Sequence, residues 1–363
     1  MNHLAKLTII VAAALLVVVS PVQAAPDSAQ RAPLATSLEI SQYAHGPADE
    51  IAITFAARNG GGESLYVLKW QTPFEGIEAD LFEVSCDGEP VAYTGKLVKR
   101  AEPEPGDFLE IKAGETRTAV FDPSAVYDMS RACQYTVRYR NELASLLNWD
   151  DDEGAPEDGR VRRRRKIAVE EVVSNEVSLF VEGREMPSEP FALETFGGTT
   201  GCTNTQVSTL QTAHSNAQTM SSKAKSWLAT NPDSYALYIR WFGTYASTRY
   251  NTVKNHYNAI LDAFANKSVT YDCSTCTMAN AYAYVYASQP YKIYLCGYYW
   301  KAPATGRDSK AGTLIHEMSH FRVTAGTSDY VYGESGALNL ARTNPKKAIA
   351  NADNHEYFGE DQK

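Results

Sequence analysis

From about Ser37 to Val181 apolar side chains recur at every second position. Ser37-Leu38-Glu39-Ile40, Ile51-Ala52-Ile53-Thr54-Phe55, Tyr135-Thr136-Val137-Arg138-Tyr139 and Val177-Ser178-Leu179-Phe180-Val181 all alternate in this way. That period belongs to strands with one face on a core. Gly60-Gly61-Gly62 and Pro103-Glu104-Pro105-Gly106 interrupt the runs as turns. Short antiparallel strands over this length predict an all-β, sandwich-like (immunoglobulin-like) domain. After Cys202 the texture becomes helical. Thr205 to Ala229 carries Val207, Leu210, Met220 and Trp227, and Asn231-Pro232-Asp233 ends it. Tyr235 to Phe264 reads as two helical stretches around Gly243. A β-hairpin follows: Tyr282, Tyr284 and Tyr286 alternate with small residues, Ser288-Gln289-Pro290 turns, and Tyr291 to Cys296 returns. Asp308 is placed to N-cap a further helix that runs to about Phe321. The second half is therefore predicted to be mainly α, of α+β type.

The boundaries that follow are residues 1–24 as a leader, 25–183 as the β-rich domain, 184–200 as a linker and 201–363 as the second domain. The leader is read from Lys6, the apolar run Leu7 to Val19 and the small-x-Ala pattern Val22-Gln23-Ala24. Thirteen residues fall short of the roughly 20 that span a membrane, so the expectation is a cleaved signal peptide and a secreted product. The linker, Gly183 to Thr200, has prolines, glycines and no clear period. A second candidate junction is the basic run Arg162-Arg163-Arg164-Arg165-Lys166 after Asp150-Asp151-Asp152-Glu153. It reads either as a processing site or as a solvated loop with opposed charges, and the strand after it favours the loop.

Six cysteines suit an exported chain. Cys86 and Cys133 lie in the first half, and separate folding of the halves would force that pair. Cys202, Cys273, Cys276 and Cys296 would then pair among themselves, in an order the sequence leaves open. The net charge of −9 is uneven. Glu194 to Lys363 holds 15 Lys and Arg against 12 Asp and Glu, whereas the preceding residues hold 19 against 31. This argues against a nucleic-acid partner for the whole chain and for attraction between the halves.

The chemistry concentrates in His316-Glu317-Met318-Ser319-His320, which matches H-E-x-x-H. Residues four apart share a helix face, so both imidazoles can bind one zinc. Glu317, beside the first ligand, can take a proton from the activated water. A third protein ligand is needed. The long H-E-x-x-H-x-x-G-x-x-H pattern is excluded, because Val323 and Gly326 stand where glycine and histidine belong. Glu334 is the glutamate a thermolysin-like arrangement would use, and Asp329 of Gly326-Thr327-Ser328-Asp329-Tyr330 is the other candidate.

Here the sequence resembles the deuterolysin and peptidyl-lysine metalloendopeptidase family, the aspzincins. Their H-E-x-x-H is followed by G-T-x-x-D. The likeness spans Cys202 to Gly359 and includes Ile293-Tyr294-Leu295-Cys296, Trp300-Lys301-Ala302-Pro303, Gly312-Thr313-Leu314-Ile315-His316 and Asn351-Ala352-Asp353. It implies a zincin-type catalytic domain with one Zn2+ on His316, His320 and Asp329, Glu317 as base and Tyr332, rather than Tyr330, as oxyanion donor. It implies disulfides Cys202–Cys273 and Cys276–Cys296. It also implies that the first half is the propeptide of a bacterial proenzyme, acting as an intramolecular inhibitor. The substrates are then proteins and peptides, with no membrane partner after signal cleavage.

Asp353 and Glu356 sit three apart, on one face if helical. In peptidyl-lysine members the matching acids line the S1′ pocket, which implies cleavage on the amino side of lysine. A broader deuterolysin-like specificity is the alternative within the family. Outside it, the alternative is an exported adhesive β-module with a vestigial zinc domain. The Tyr291–Cys296 strand is expected to pair with extended substrate. Lys69, Lys96 and Lys99 are candidates for an internal lysine in the pocket, with simple steric cover as the other route to latency.

Overall fold

The structure is a computed structural model that describes residues 34–362 except 47–48, 142–146, 149–164, 167–170, 184–195 and 231–234. The leader, most of the basic run, the acidic run and most of the linker lie outside the described residues.

The first half is β-rich. Its strands are β1 (Leu34–Ile40), β2 (Ala44–His45), β3 (Ile53–Asn59), β4 (Leu65–Leu68), β5 (Phe82–Cys86), β6 (Glu89–Pro90) and β7 (Lys96–Arg100). They continue with β8 (Phe108–Ile111), β9 (Thr116–Phe121), β10 (Cys133–Asn141), β11 (Leu147–Asn148), β12 (Arg165–Lys166) and β13 (Val172–Val181). One sheet runs β1-β3-β9 and a second β2-β13-β10-β5-β6. The alternation does what its period requires: along β10, Tyr135, Val137 and Tyr139 are buried while Gln134 and Arg138 face out. Phe55 and Tyr139 meet at 4.9 Å between ring centroids, and Phe82 stacks on Phe121 at 4.4 Å. Cys86–Cys133 ties β5 to β10. The β11–β12 ladder pairs Asn148 with Arg165 and Leu147 with Lys166.

The second half is α+β, with strands β14 (Phe196–Thr200), β15 (Val269–Asp272), β16 (Ala281–Tyr286) and β17 (Lys292–Leu295). Its helices are α1 (Asn204–Ala229), α2 (Ala236–Phe242), α3 (Ser247–Asn266), α4 (Gly297–Lys301), α5 (Lys310–His320), α6 (Gly333–Thr343), α7 (Pro345–Ala348) and α8 (Ala352–Glu360). The expected helical stretches appear, and α1 opens with a capping box of Thr203 and Gln206. Gly243 separates α2 from α3 at φ +77°, where a Cβ would strike Ala341 O and Pro345. Cys202–Cys273 and Cys276–Cys296 are formed.

The sheet order is β14-β15-β17-β16-β7, which corrects one expectation. Strand β17 is interior, flanked by β15 and β16, so Tyr291–Cys296 offers no free edge to substrate. Strand β16 holds the outer position in the second half's own sheet, and the first half's β7 pairs antiparallel with it, Lys99 opposite Ala283 and Val98 opposite Tyr284. A β-strand edge leaves N–H and C=O groups unpaired, and β7 satisfies them.

Candidate metal centre

Helix α5 is buried on every side: Ala311 to His320 are all inaccessible. Ser309, not Asp308, is its N-cap, since the Ser309 hydroxyl accepts the Gly312 N–H at 2.9 Å. Burial brings α8 close against the helix, and Gly312 permits the approach. A Cβ there would run into the Glu360 carboxylate and crowd Glu356. Gly312→Ala is expected to cost about 1–3 kcal/mol of stability by overpacking, read as a lower thermal midpoint; an unchanged midpoint would refute the close approach.

His316 Nε2, His320 Nε2 and the Asp329 carboxylate converge, their ligand atoms lying within 4.8 Å of one another. His316 Nε2 stands 3.1 Å from Asp329 Oδ1, and His320 Nε2 stands 3.4 Å from Asp329 Oδ2. All of these atoms are buried and make no hydrogen bond. Buried polar atoms without partners are costly, and a cation at the common centre would satisfy all of them. Two nitrogens and a carboxylate suit zinc with an open position. Among the described residues two other acid or cysteine groups are close enough for a metal. One is the Cys86–Cys133 disulfide with Asp87, and the other, His316 with Asp353 and Glu356, holds Lys99.

The G-T pair explains how the candidate ligands are aimed. Gly326 takes φ +60° and turns the chain back toward α5. His320 Nδ1 donates to Thr327 O at 2.9 Å, which leaves Nε2 as the free lone pair. Thr327 Oγ1 also meets Ser319 Oγ at 2.6 Å. His316 Nδ1 lies 2.8 Å from Asp353 Oδ1. Asn351 Oδ1 accepts the N–H groups of Tyr330 and Val331 at 2.8 and 3.2 Å, and Asp353 Oδ2 accepts that of Gly333 at 2.6 Å. The Asn351-Ala352-Asp353 block thus holds the loop that presents Asp329. Burial raises the Asp329 carboxyl's affinity for a proton, but the two imidazoles outweigh it and hold its pKa well below the usual range. Burial pushes Glu317 up to about 7, against the opposing pull of His316 and His320. Both Glu317 oxygens are buried without a hydrogen-bond partner.

Glu334 is elsewhere. It pairs with Arg240 at 3.2 Å and Arg307 at 3.3 Å. Tyr332 is buried, with Trp70 of the first half edge-on at 6.0 Å, while Tyr330 is exposed beneath Lys347. A cavity of about 730 Å³ between the halves is lined by Trp70, Leu81, Asp329 and Tyr332 among others.

Asp353 and Glu356 share a face of α8 and are fully buried beside His316. Lys99 of β7 reaches them: its Nζ lies 2.5 Å from Glu356 Oε2, 3.5 Å from Asp353 Oδ1 and 3.4 Å from Asp308 Oδ1. Burial alone would lower the ammonium's pKa, yet the carboxylates of Asp353 and Glu356 raise it well above its ordinary value. The rings of Tyr282 and Tyr357 flank it at 5.0 and 5.9 Å. Lys96 lies over Tyr284 and Lys69 pairs with Glu75, so neither enters the pocket. Reading the sequence alone overlooked the Thr327 carbonyl as the partner of His320, and Asp308 as a pocket residue. The G-T spacing pointed to the first; nothing local pointed to the second.

The chain is similar to several known proteins. The sequence model described as lysine-specific metallo-endopeptidase (aspzincin) matches residues 227–360. An extracellular protease of Aeromonas hydrophila is 39% identical over 324 residues, covering 87% of this chain and 89% of the relative. A peptidyl-Lys metalloendopeptidase of Grifola frondosa is 47% identical over 322 residues, 86% of this chain and 88% of the relative. The solved zinc peptidase from Grifola frondosa is 46% identical over 44% of this chain and 96% of its own, at a TM-score of 0.42.

Proposed function

Because this chain belongs to the aspzincin family of lysine-specific metallo-endopeptidases, we propose that it is a secreted zinc enzyme that cleaves on the amino side of lysine and is made latent by its own first half. In this reading residues 1–24 are the signal peptide, 25–183 an immunoglobulin-like propeptide, 184–200 the processing region and 201–363 the peptidase, with one correction. Phe196–Thr200, read as linker, is strand β14 paired with β15 and so belongs to the peptidase sheet. No described helix is long and apolar enough to cross a membrane. The observation that carries the reading is the Lys99 ammonium among Glu356, Asp353 and Asp308. A fully buried ammonium held by carboxylates supports a pocket that receives lysine.

His316, His320 and Asp329 would hold the ion, one per chain. When bound, zinc supplies Lewis acidity, polarising the scissile carbonyl and acidifying a water. Glu317 takes the proton at its carboxylate and later returns it to the leaving amine. Tyr332 donates its phenol hydrogen to the developing oxyanion. Glu356 and Asp353 fix the lysine side chain, which aligns the bond before it. Substrate would lie along β16, the edge that β7 covers in the uncleaved chain.

Latency then has two parts: β7 occupies the substrate edge, and Lys99 occupies the pocket. Lys99→Ala in the uncleaved chain is expected to raise basal hydrolysis of a lysine peptide by roughly tenfold or more, the value of a charged hydrogen bond. Lys69→Ala and Lys96→Ala serve as controls and should leave it low. A Lys99→Ala zymogen as silent as the parent would leave steric cover as the mechanism.

A further inference from the structure

We propose that Asp308 is a specificity residue, the third carboxylate that selects the lysine ammonium over the arginine guanidinium; this rests on the lysine reading above. Asp308 sits just before α5 but does not cap it. Its backbone has φ +46°, a left-handed conformation that side-chain-bearing residues rarely adopt. The neighbouring Ser309 fixes that turn, giving its N–H and its hydroxyl to Glu360 Oε1 at 2.9 and 2.7 Å. The Asp308 side chain is fixed as well, since Tyr357 Oη donates to its Oδ1 at 2.8 Å. Tyr357 and Glu360 belong to α8, the helix that carries Asp353 and Glu356. One helix therefore aims three carboxylates at one point, two from its own face and one through a neighbouring turn.

That point suits an ammonium. Lysine presents three donors from a single nitrogen, and the three acceptors stand 2.5, 3.4 and 3.5 Å from it. A guanidinium is a planar fork that needs acceptors in its own plane. Three acceptors gathered on one nitrogen, with the rings of Tyr282 and Tyr357 beside it, suit a point donor better than a fork. Asp308 is the outermost of the three, 38% exposed where the other two are fully buried. It is the acceptor on the solvent side of the ammonium, so its charge is the one a bulkier guanidinium would meet least favourably.

The test uses the full chain with its zinc, taken after its own maturation, as wild type, Asp308→Asn and Asp308→Gly. Asparagine and glycine both accept a positive φ, so the charge and then the whole side chain are removed without backbone strain. Zinc content and thermal midpoint are checked first. Two peptides differing only by Lys or Arg after the scissile bond are then compared. Both variants are expected to lower the Lys-to-Arg ratio of kcat/KM by roughly tenfold to a hundredfold. The lysine loss should lie in KM, and the arginine peptide should gain. An unchanged ratio in variants of a lysine-preferring wild type, or a parallel fall for both peptides, overturns the role of Asp308. A wild type without lysine preference overturns the reading on which it rests.

Discussion

Glu317→Ala is expected to abolish peptidase activity while zinc stays bound. The carboxylate contributes no ligand atom to the converging set of His316, His320 and Asp329. Its two oxygens are buried and make no hydrogen bond, so little else depends on them. General base catalysis is worth about 10²–10⁴ in rate, and here the same group serves as acid in the second step, so turnover should fall by about 10³ or more. Zinc content measured on the same preparation separates loss of chemistry from loss of metal. Near-normal turnover in a clean preparation would remove Glu317 from the mechanism. Glu317→Gln, which keeps the shape, should be almost as inactive.

Asp329→Ala is expected to strip the site of metal, whereas Glu334→Ala should leave zinc affinity nearly unchanged. Losing a partner of a ligand already costs 10–100-fold in metal affinity, so losing a ligand should cost about 10² or more. The Asp329 oxygens stand 3.1 and 3.4 Å from the two imidazoles, while Glu334 is engaged with Arg240 and Arg307. Competition against a chelator of known affinity reads both variants directly. The opposite pattern, with Glu334→Ala losing the metal, would return the third ligand to a thermolysin-like arrangement.

These expectations differ in how far the amino-acid sequence alone supports them. The imidazole pair was legible because its geometry is local: residues four apart on a helix share a face whatever surrounds them. The strand texture of the first half and the helices after Cys202 were legible for the same reason, since period 2 and period 3.6 are properties of a single segment. The third ligand was not, because a loop residue reaches a metal only through contacts far along the chain. Its assignment came from resemblance, and the carbonyl of Thr327 and the side chain of Asn351 give the physical account.

Which of the three candidate lysines reaches Asp353 and Glu356, and that Asp308 joins them, belongs to tertiary structure. Lys96–Arg100 looks like an ordinary strand of the β-rich half, and nothing within it says that its edge partner is β16, almost 200 residues later. Strand pairing is decided by which edge is free once the sheets have formed, and β17, the edge expected by analogy with zinc peptidases, is already paired on both sides. Asp308 reads as a helix cap because aspartate before a helix usually is one. Ser309 takes that hydrogen bond, and the Asp308 carboxylate turns to Tyr357 and Lys99 instead. Segment periodicity thus marked strands of the first half, the helices between Cys202 and Phe264 and the hairpin after them, while helix spacing marked one pair of candidate ligands. The packing of α8 against α5, and of β7 against β16, decided which charges meet, because long-range contacts leave no period in the sequence.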